Sequence, residues 1–344
     1  MTEKKIKFEQ GQSLVRHPRA VLDDKYDCPI QLEDVYVACI KNKKDASALI
    51  KELSSDFPLV NLLHLKRVRA QRGKEAHLQV IIYPKYQQAE LGPAGLSLES
   101  LFGGKAEKYR GLYGPFVTKV PKFPALTRRQ YTESLQFWTT AFHEDKRMER
   151  LLDNTFFSED ELRTMSKHML EAIRCANKAK NKNENPIGAV IVDPASDQVV
   201  ATSHDCRLGD NPLHHAAMVC IDMVARSQGG GMWSLEGDGM FYKKNIAPVE
   251  QGNGKKVGPY LCTGYDLYVT REPCAMCAMA LVHARIQRVF YGTSYKEGAL
   301  GSRYKIHVQR GLNHHYEAFQ GLMEDESEQL LCRSDQAELD TDHG

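Results

Sequence analysis

"TREPCAMCAMALVHARIQRVFYG", residues 270–292, decides how this chain is read. "YDLYVT" (265–270) leads into it, a β-branched and aromatic run that predicts a strand. "PCAMCAMALVHARI" (273–286) predicts a helix with Pro273 in its first turn, a place where the missing N–H is not needed. "RVFYGTS" (288–294) predicts the next strand. Alternation of strands and helices makes this half of the chain α/β. Cys274 and Cys277 fall at the start of the helix, where the macrodipole helps to hold a thiolate. A C-x-x-C pair alone is weak evidence, because redox motifs, structural metal sites and buried core cysteines share it.

Working outward, "SEDELRTMSKHMLEAIRCANKAK" (158–180) predicts a helix. Ser158 and Glu161 form a capping box, and Met165, Met169, Ile173 and Ala176 recur at helical spacing. "IGAVIVD" (187–193) and "QVVATS" (198–203) predict a strand pair around the turn "PASD". A further helix starts near 213 and carries "LHHAAMVC" (213–220). Residues 227–258, rich in Gly, Lys and Glu, predict a flexible insertion. The acidic tail "EDESEQLLCRSDQAELDTDHG" predicts disorder over its last dozen residues.

His215 opens one helix, and Cys274 and Cys277 open another behind a proline. This nearly completes the pattern His-x-Glu with Pro-Cys-x-x-Cys, in which one His and two Cys hold zinc and the Glu moves protons. The glutamate is missing: Ala217 stands two positions after His215, and a register based on His214 gives Ala216 instead. Three ligands leave the fourth zinc position for a water, whose pKa the metal lowers towards neutrality. Without the carboxylate a typical loss is roughly 10²–10⁴-fold. Asp222 lies five residues past Ala217, about 7.5 Å further along a helix, too far to serve a zinc-bound water. Met276 and Met279 suit the core better than the metal, and His283 lies too far along its helix.

The first half differs in charge. Residues 1–150 carry 26 Lys+Arg against 18 Asp+Glu, while the rest carries 20 against 26. Such asymmetry points one half at a polyanion. Lys105, Lys108, Arg110, Lys119, Lys122, Arg128 and Arg129 face the single acid Glu107 in one window. Tyr109, Tyr113, Phe116 and Phe123 are interleaved, which suits phosphate contacts with base stacking; a solvated basic face with core aromatics is the plainer alternative. "VYVACI" (35–40), "LLHLKRVRA" (62–70) and "HLQVIIYP" (77–84) predict strands, and "DASALIKELSSDF" (45–57) a helix capped by Asp45. That order predicts an α+β, ferredoxin-like domain. Loops are predicted at 91–96 and around "LFGG" (101–104), an extended segment at 114–123, and a helix at 127–143 capped by Thr127.

Three segments result: a basic α+β domain (1–150), an α/β/α zinc domain (151–330) and an acidic tail (331–344), the main boundary falling between 144 and 157. No apolar run reaches membrane-spanning length, and the charged start "MTEKKIKFEQ" predicts no secretory signal. Nine mostly scattered cysteines predict no disulfide framework and a reducing compartment, cytosol or nucleus.

Residues 158–322 resemble the cytidine/deoxycytidylate deaminase superfamily, and within it the tRNA adenosine deaminases. The resemblance rests on the helix–strand–strand lead-in, "HAAM", residues 270–292, "EGALGS" (297–302) and "LNHHYE" (312–317). Because the glutamate is absent and a domain is added in front, the chain is similar to the inactive-looking subunits of the eukaryotic heterodimeric enzymes. The resemblance implies conversion of wobble adenosine to inosine in tRNA by a catalytic partner. It implies one zinc ion on His215, Cys274 and Cys277, with Ala217 where that partner has its glutamate. It also implies a first domain that grips tRNA, and a nuclear and cytoplasmic location. Active members carry a glutamate at the position of Glu272 too, so Glu272 reads as structural. "SHDCRLGD" (203–210) lacks the usual Asn, and the C-terminal end lacks the usual aromatic pair, which argues against substrate in this pocket. Two other readings stand beside this one: a free-standing nucleoside or nucleotide deaminase with another acid/base, and a zinc-stabilised scaffold with no RNA role.

Overall fold

The computed structural model describes residues 17–70, 77–87, 96–235, 240–243, 249–251, 255–257 and 260–339. Its first strand, β1 (Arg19–Ala20), does not join the residues that follow it; it pairs antiparallel with Gln320 and Phe319 near the other end of the chain. Asp24–Glu149 form one unit, and the residues before Asp24 and from Arg150 onward form the other. The basic domain therefore begins after β1, because backbone pairing assigns β1 to the larger sheet.

The Asp24–Glu149 unit contains β2 (Leu32–Ile40), α1 (Ala46–Asp56), β3 (Val68–Ala70), β4 (Leu78–Pro84), α2 (Leu98–Phe102), β5 (Leu112–Pro121) and α3 (Arg128–Phe137). Its sheet has the order β3-β4-β2-β5, antiparallel throughout, the arrangement of a split β-α-β pair. Both faces are covered. Tyr36, Ala38 and Ile40 pack with Leu49, Leu53, Phe102 and Tyr109, while Val35 and Val37 pack with Leu62, Leu65 and Trp138.

Several local expectations give way to packing. Of 62–70 only Val68–Ala70 is strand; a 3-10 turn at Val60–Leu62 lets Leu62 and Leu65, three apart, cover the sheet together. Asp45 sits at the start of α1 but its side chain makes no capping bond. The segment around "LFGG" is not a loop: α2 and a 3-10 helix (Gly103–Tyr109) run through it, opened by a Ser97–Ser100 capping box. Residues 91–95 lie outside the described ones. Thr127 caps α3 as expected, through Gln130 N, but the helix stops at Phe137. Trp138 leaves it in an extended conformation, fully buried, with its indole N–H on Lys66 O and the Arg69 guanidinium 4.0 Å from its ring centre.

The division between units falls inside α4 (Lys146–Leu152). The larger unit continues with α5 (Glu159–Asn181), β6 (Gly188–Asp193), β7 (Gln198–His204), α6 (Ala216–Ser227), β8 (Phe241–Tyr242), β9 (Val249–Gln251), β10 (Lys255–Val257), β11 (Asp266–Arg271), α7 (Ala275–His283), β12 (Arg288–Thr293), β13 (Glu317–Gln320) and α8 (Glu324–Leu339). Its seven-stranded sheet has the order β1-β13-β12-β11-β6-β7-β8, parallel across β11-β12-β13 and antiparallel elsewhere. Alternate side chains separate two cores. Ala189, Ile191, Leu267, Val269 and Val289 meet α6 and α7. On the opposite face Tyr268, Phe290 and Phe319 stack in a row beneath α5 and α8. The result is three layers, α/β/α.

The capping box on Ser158 and Glu161 starts α5. Gly188 lets that helix touch the sheet, since a Cβ there would come within 1.9 Å of Ala172 O. Much of the 227–258 insertion lies outside the described residues; β8 extends the main sheet, and β9 with β10 forms a two-stranded ribbon. The tail differs from expectation: helix α8 continues to Leu339, and only the last five residues lie outside the described ones.

Candidate metal centre

Two helices begin at one point. His215 is the N-cap residue of α6, and Cys274 is the N-cap residue of α7, with Cys277 three residues further on. Pro273 thus precedes the cap and does not occupy the first turn. The two cap side chains face each other across the helix starts. His215 Nδ1 lies 3.6 Å from Cys274 Sγ and 3.5 Å from Cys277 Sγ. All three ligand atoms fall within 4.8 Å of one another. Tetrahedral zinc with Zn–N near 2.0–2.1 Å and Zn–S near 2.3 Å needs N to S separations of about 3.6 Å. The donor set fits the ion in type and spacing.

The thiols are unequal. The Cys277 S–H and the His215 ring hold the Cys274 thiol down to about 3, which makes Cys274 the ready thiolate. Donation to Cys274, together with burial, pushes Cys277 up. A metal held there would displace that shared proton and bind both sulfurs as thiolates.

Ala217, second residue of α6, is 3% exposed and presents only a methyl group to the cavity beside the ligands. The cavity that Ala217 and the three ligand residues line measures ≈ 30 Å³, room for about two waters. No carboxylate takes over the missing role. Asp222 turns away and accepts from Met232 N (2.6 Å) and Trp233 N (3.3 Å). Glu272, also on the wall, accepts from Tyr295 N (3.0 Å), Leu300 N (2.9 Å), Ser302 N (3.0 Å) and the Ser302 hydroxyl. Gly298 makes that clamp possible, because a Cβ there would lie 2.1 Å from the Glu272 carboxyl carbon. His214 bonds Asn211 and packs edge-on against Trp233, and His283 ends α7 exposed.

Three further residues of the wall carry charge or stacking surface that the motif does not announce. Arg207 binds Asp205 Oδ1 through Nε (3.0 Å) and lies 3.3 Å from His215 Nε2. The Arg271 guanidinium lies 4.3 Å from the centre of the Tyr295 ring. Arg271 was visible beside Glu272 in the sequence, and its only signal was a charge at the buried end of a strand.

The basic window is not a bare cationic face. Lys105 and Lys108 pair with Asp56 (3.7 and 2.9 Å), Arg110 with Glu107 (3.9 Å) and Lys119 with Asp34 (3.6 Å). Arg128 pairs with Glu144 (3.2 Å) and Arg129 with Asp27 (3.0 Å), while Lys122 lies over the Phe123 ring (5.5 Å). Of the interleaved aromatics, Tyr109 is core and Phe116 packs against the second core, whereas Phe123 is 56% exposed. Most of the cations in these pairs are solvent-exposed, where ion pairs are weak enough for a phosphate to compete with the carboxylates.

Two families match the chain in turn. Residues 33–138 match the tRNA-specific adenosine deaminase TAD3 N-terminal domain, and residues 162–293 match the cytidine and deoxycytidylate deaminase zinc-binding region. A zebrafish (Danio rerio) protein named probable inactive tRNA-specific adenosine deaminase-like protein 3 is 43% identical over 90% of this chain and 93% of its own length. The Homo sapiens protein of that name is 44% identical over 89% of each. In Schizosaccharomyces pombe, the tRNA-specific adenosine deaminase subunit tad3 is 29% identical over 85% of each. With identity of this level along nearly the whole length, the chain belongs to the tRNA-specific adenosine deaminase-like protein 3 family.

Proposed function

We propose that this chain is the non-catalytic, zinc-holding subunit of a heterodimeric tRNA adenosine deaminase. Its partner is a homologue that carries the glutamate and converts wobble adenosine to inosine. One observation carries the reading: His215, Cys274 and Cys277 stand at ligand spacing while Ala217 offers a methyl group where a proton must be moved. His215, Cys274 and Cys277 would hold the zinc, which when bound joins the starts of α6 and α7. The ion would stabilise the fold, since metal affinity in a site absent from the unfolded chain is folding free energy.

In this reading the Asp24–Glu149 unit contributes tRNA affinity through Lys105, Lys108, Arg110, Lys119, Lys122, Arg128 and Arg129 as a group, with phosphates replacing their carboxylate partners. Eight of the nine cysteines are free thiols, which suits the reducing nucleus and cytoplasm. The test is an inosine assay on a tRNA with a wobble adenosine, using the pure chain, the glutamate-bearing homologue and the mixture. Activity in the mixture above that of the homologue alone supports the proposal. Activity of the chain alone overturns it. tRNA binding that does not weaken with salt removes the RNA role, because phosphate contacts release counterions.

A further inference from the structure

Four aromatic rings are interleaved with the cations of residues 105–129, and the fold engages three of them. Tyr109 is fully buried, and Phe116 packs against the core that holds Trp138. The Tyr113 hydroxyl lies 3.0 Å from His77 Nδ1, with the two rings edge to face. Phe123 is left 56% exposed. A lone exposed ring is ordinary on a protein surface. The way this one is held is not.

Its loop runs from the end of β5 to the start of α3 and is tied at both ends. The Lys122 N–H donates to Gln31 O (2.8 Å), and the Leu126 N–H donates to Gln130 Oε1 (3.0 Å). Gln130 is itself buried, and its Nε2 donates to Lys25 O (2.8 Å) and Cys28 O (3.1 Å). Pro121 and Pro124 restrict the backbone on either side of Lys122 and Phe123. The ring is therefore presented on an anchored backbone, so little ordering entropy is lost when a guest settles on it. Positive charge stands beside it. Lys122 Nζ lies 5.5 Å from the ring centre and makes no ion pair among the described residues. Arg128 and Arg129, both exposed, open α3 at the other end of the loop.

This combination selects the guest. An apolar protein segment would cover the ring but leave the cations beside it without counter-charge. A paired RNA helix offers phosphates but keeps its base faces inside the stack. An unpaired nucleotide offers a flat face to the ring and a phosphate to the cations. We propose, resting on the tRNA reading above, that Phe123 is a stacking platform for one unpaired base of the tRNA, with Lys122 on the adjoining phosphate. Stacking tolerates any base, so this contact fixes where the tRNA sits and not which sequence it carries.

The experiment is RNA binding by the full chain, followed as fluorescence anisotropy over a series of salt concentrations. The probes are a tRNA with a wobble adenosine and a blunt RNA duplex. Phe123→Ala should weaken tRNA binding about fivefold or more and leave the duplex unchanged. It should keep the slope of log K against log salt, because no phosphate contact is removed, whereas Lys122→Ala should reduce that slope by about 1. Phe123→Tyr retains the flat face and should bind tRNA within about twofold of wild type. The urea midpoint of Phe123→Ala should equal that of wild type. Unchanged tRNA binding by Phe123→Ala, the result for a surface that docks a protein instead, overturns the platform and leaves the tRNA reading in place. Equal weakening of tRNA and duplex overturns it as well, and a lowered urea midpoint returns the ring to loop packing. Wild-type binding that ignores salt overturns the tRNA reading itself, so the two failures are told apart.

Discussion

Replacing Glu272 by alanine should cost this protein about 4 kcal/mol, a large part of a typical folding free energy. The carboxylate is 2% exposed and accepts from three backbone N–H groups and one hydroxyl. Leu300 is fully buried, so its N–H finds no water when the acceptor goes. That orphan alone costs roughly 1–3 kcal/mol. Tyr295 is partly buried and Ser302 exposed, so their N–H groups regain water and lose only net bonds to a charged group, about 1 kcal/mol each. Glu272→Gln keeps the shape and one acceptor oxygen but turns an NH₂ towards donors; half the loss, about 2 kcal/mol, is expected. Urea unfolding of the full chain measures both. A loss below about 1 kcal/mol for the alanine variant, or equal losses for the two, would refute the clamp.

Other perturbations test other parts of the molecule. The Tyr109 hydroxyl and then Lys108 hold the Asp56 carboxyl down to about 2, so its contribution is complete above pH 4 and fades as pH falls towards 2. Asp56→Asn should flatten the stability of that unit between pH 4 and pH 2, read as urea midpoints; an unchanged slope would exclude Asp56 as its source. Arg288→Met strands the buried Asp266, which now receives Nε at 2.8 Å and a second bond from Nη2. It should cost about 3–5 kcal/mol, with Asp266→Asn added to it recovering part of the loss by the same assay. Ala217→Glu should give no inosine without the partner and should lose about 1–3 kcal/mol by overfilling its small cavity; wild-type-like deamination by that variant alone would show that only the carboxylate was missing.

How far the sequence could be read depended on whether the cause was local. β11, α7 and β12 were legible because alternating Val, Tyr and Leu, a proline and a strongly apolar helix lie side by side. The order of elements in the first domain was legible for the same reason. Trp138 was not: a helical pattern continues past it, but an indole that fills the second face of a sheet outweighs one more turn of helix. The charge window showed the cations but not their partners. A count of Lys and Arg sees neither Asp56 beneath Lys105 and Lys108 nor Asp27 beside Arg129, each far away in sequence. Arg207 and Arg271 were equally silent, since only the fold places both on the wall shared with His215, Cys274 and Cys277.

The site separates holding from reacting. His215 and Cys274 cap two different helices, so any ion they share ties α6 to α7 whatever chemistry follows. Glu272 ties the 295–302 loop to the same strand end, and Asp222 ties the turn after α6. Each of these is a complete set of bonds. The position that would move a proton is a methyl group, and two arginines stand beside it. On that argument the loss of Glu at 217 is not a single defect that one substitution repairs. Restoring the acid at 217 alone should therefore not restore deamination.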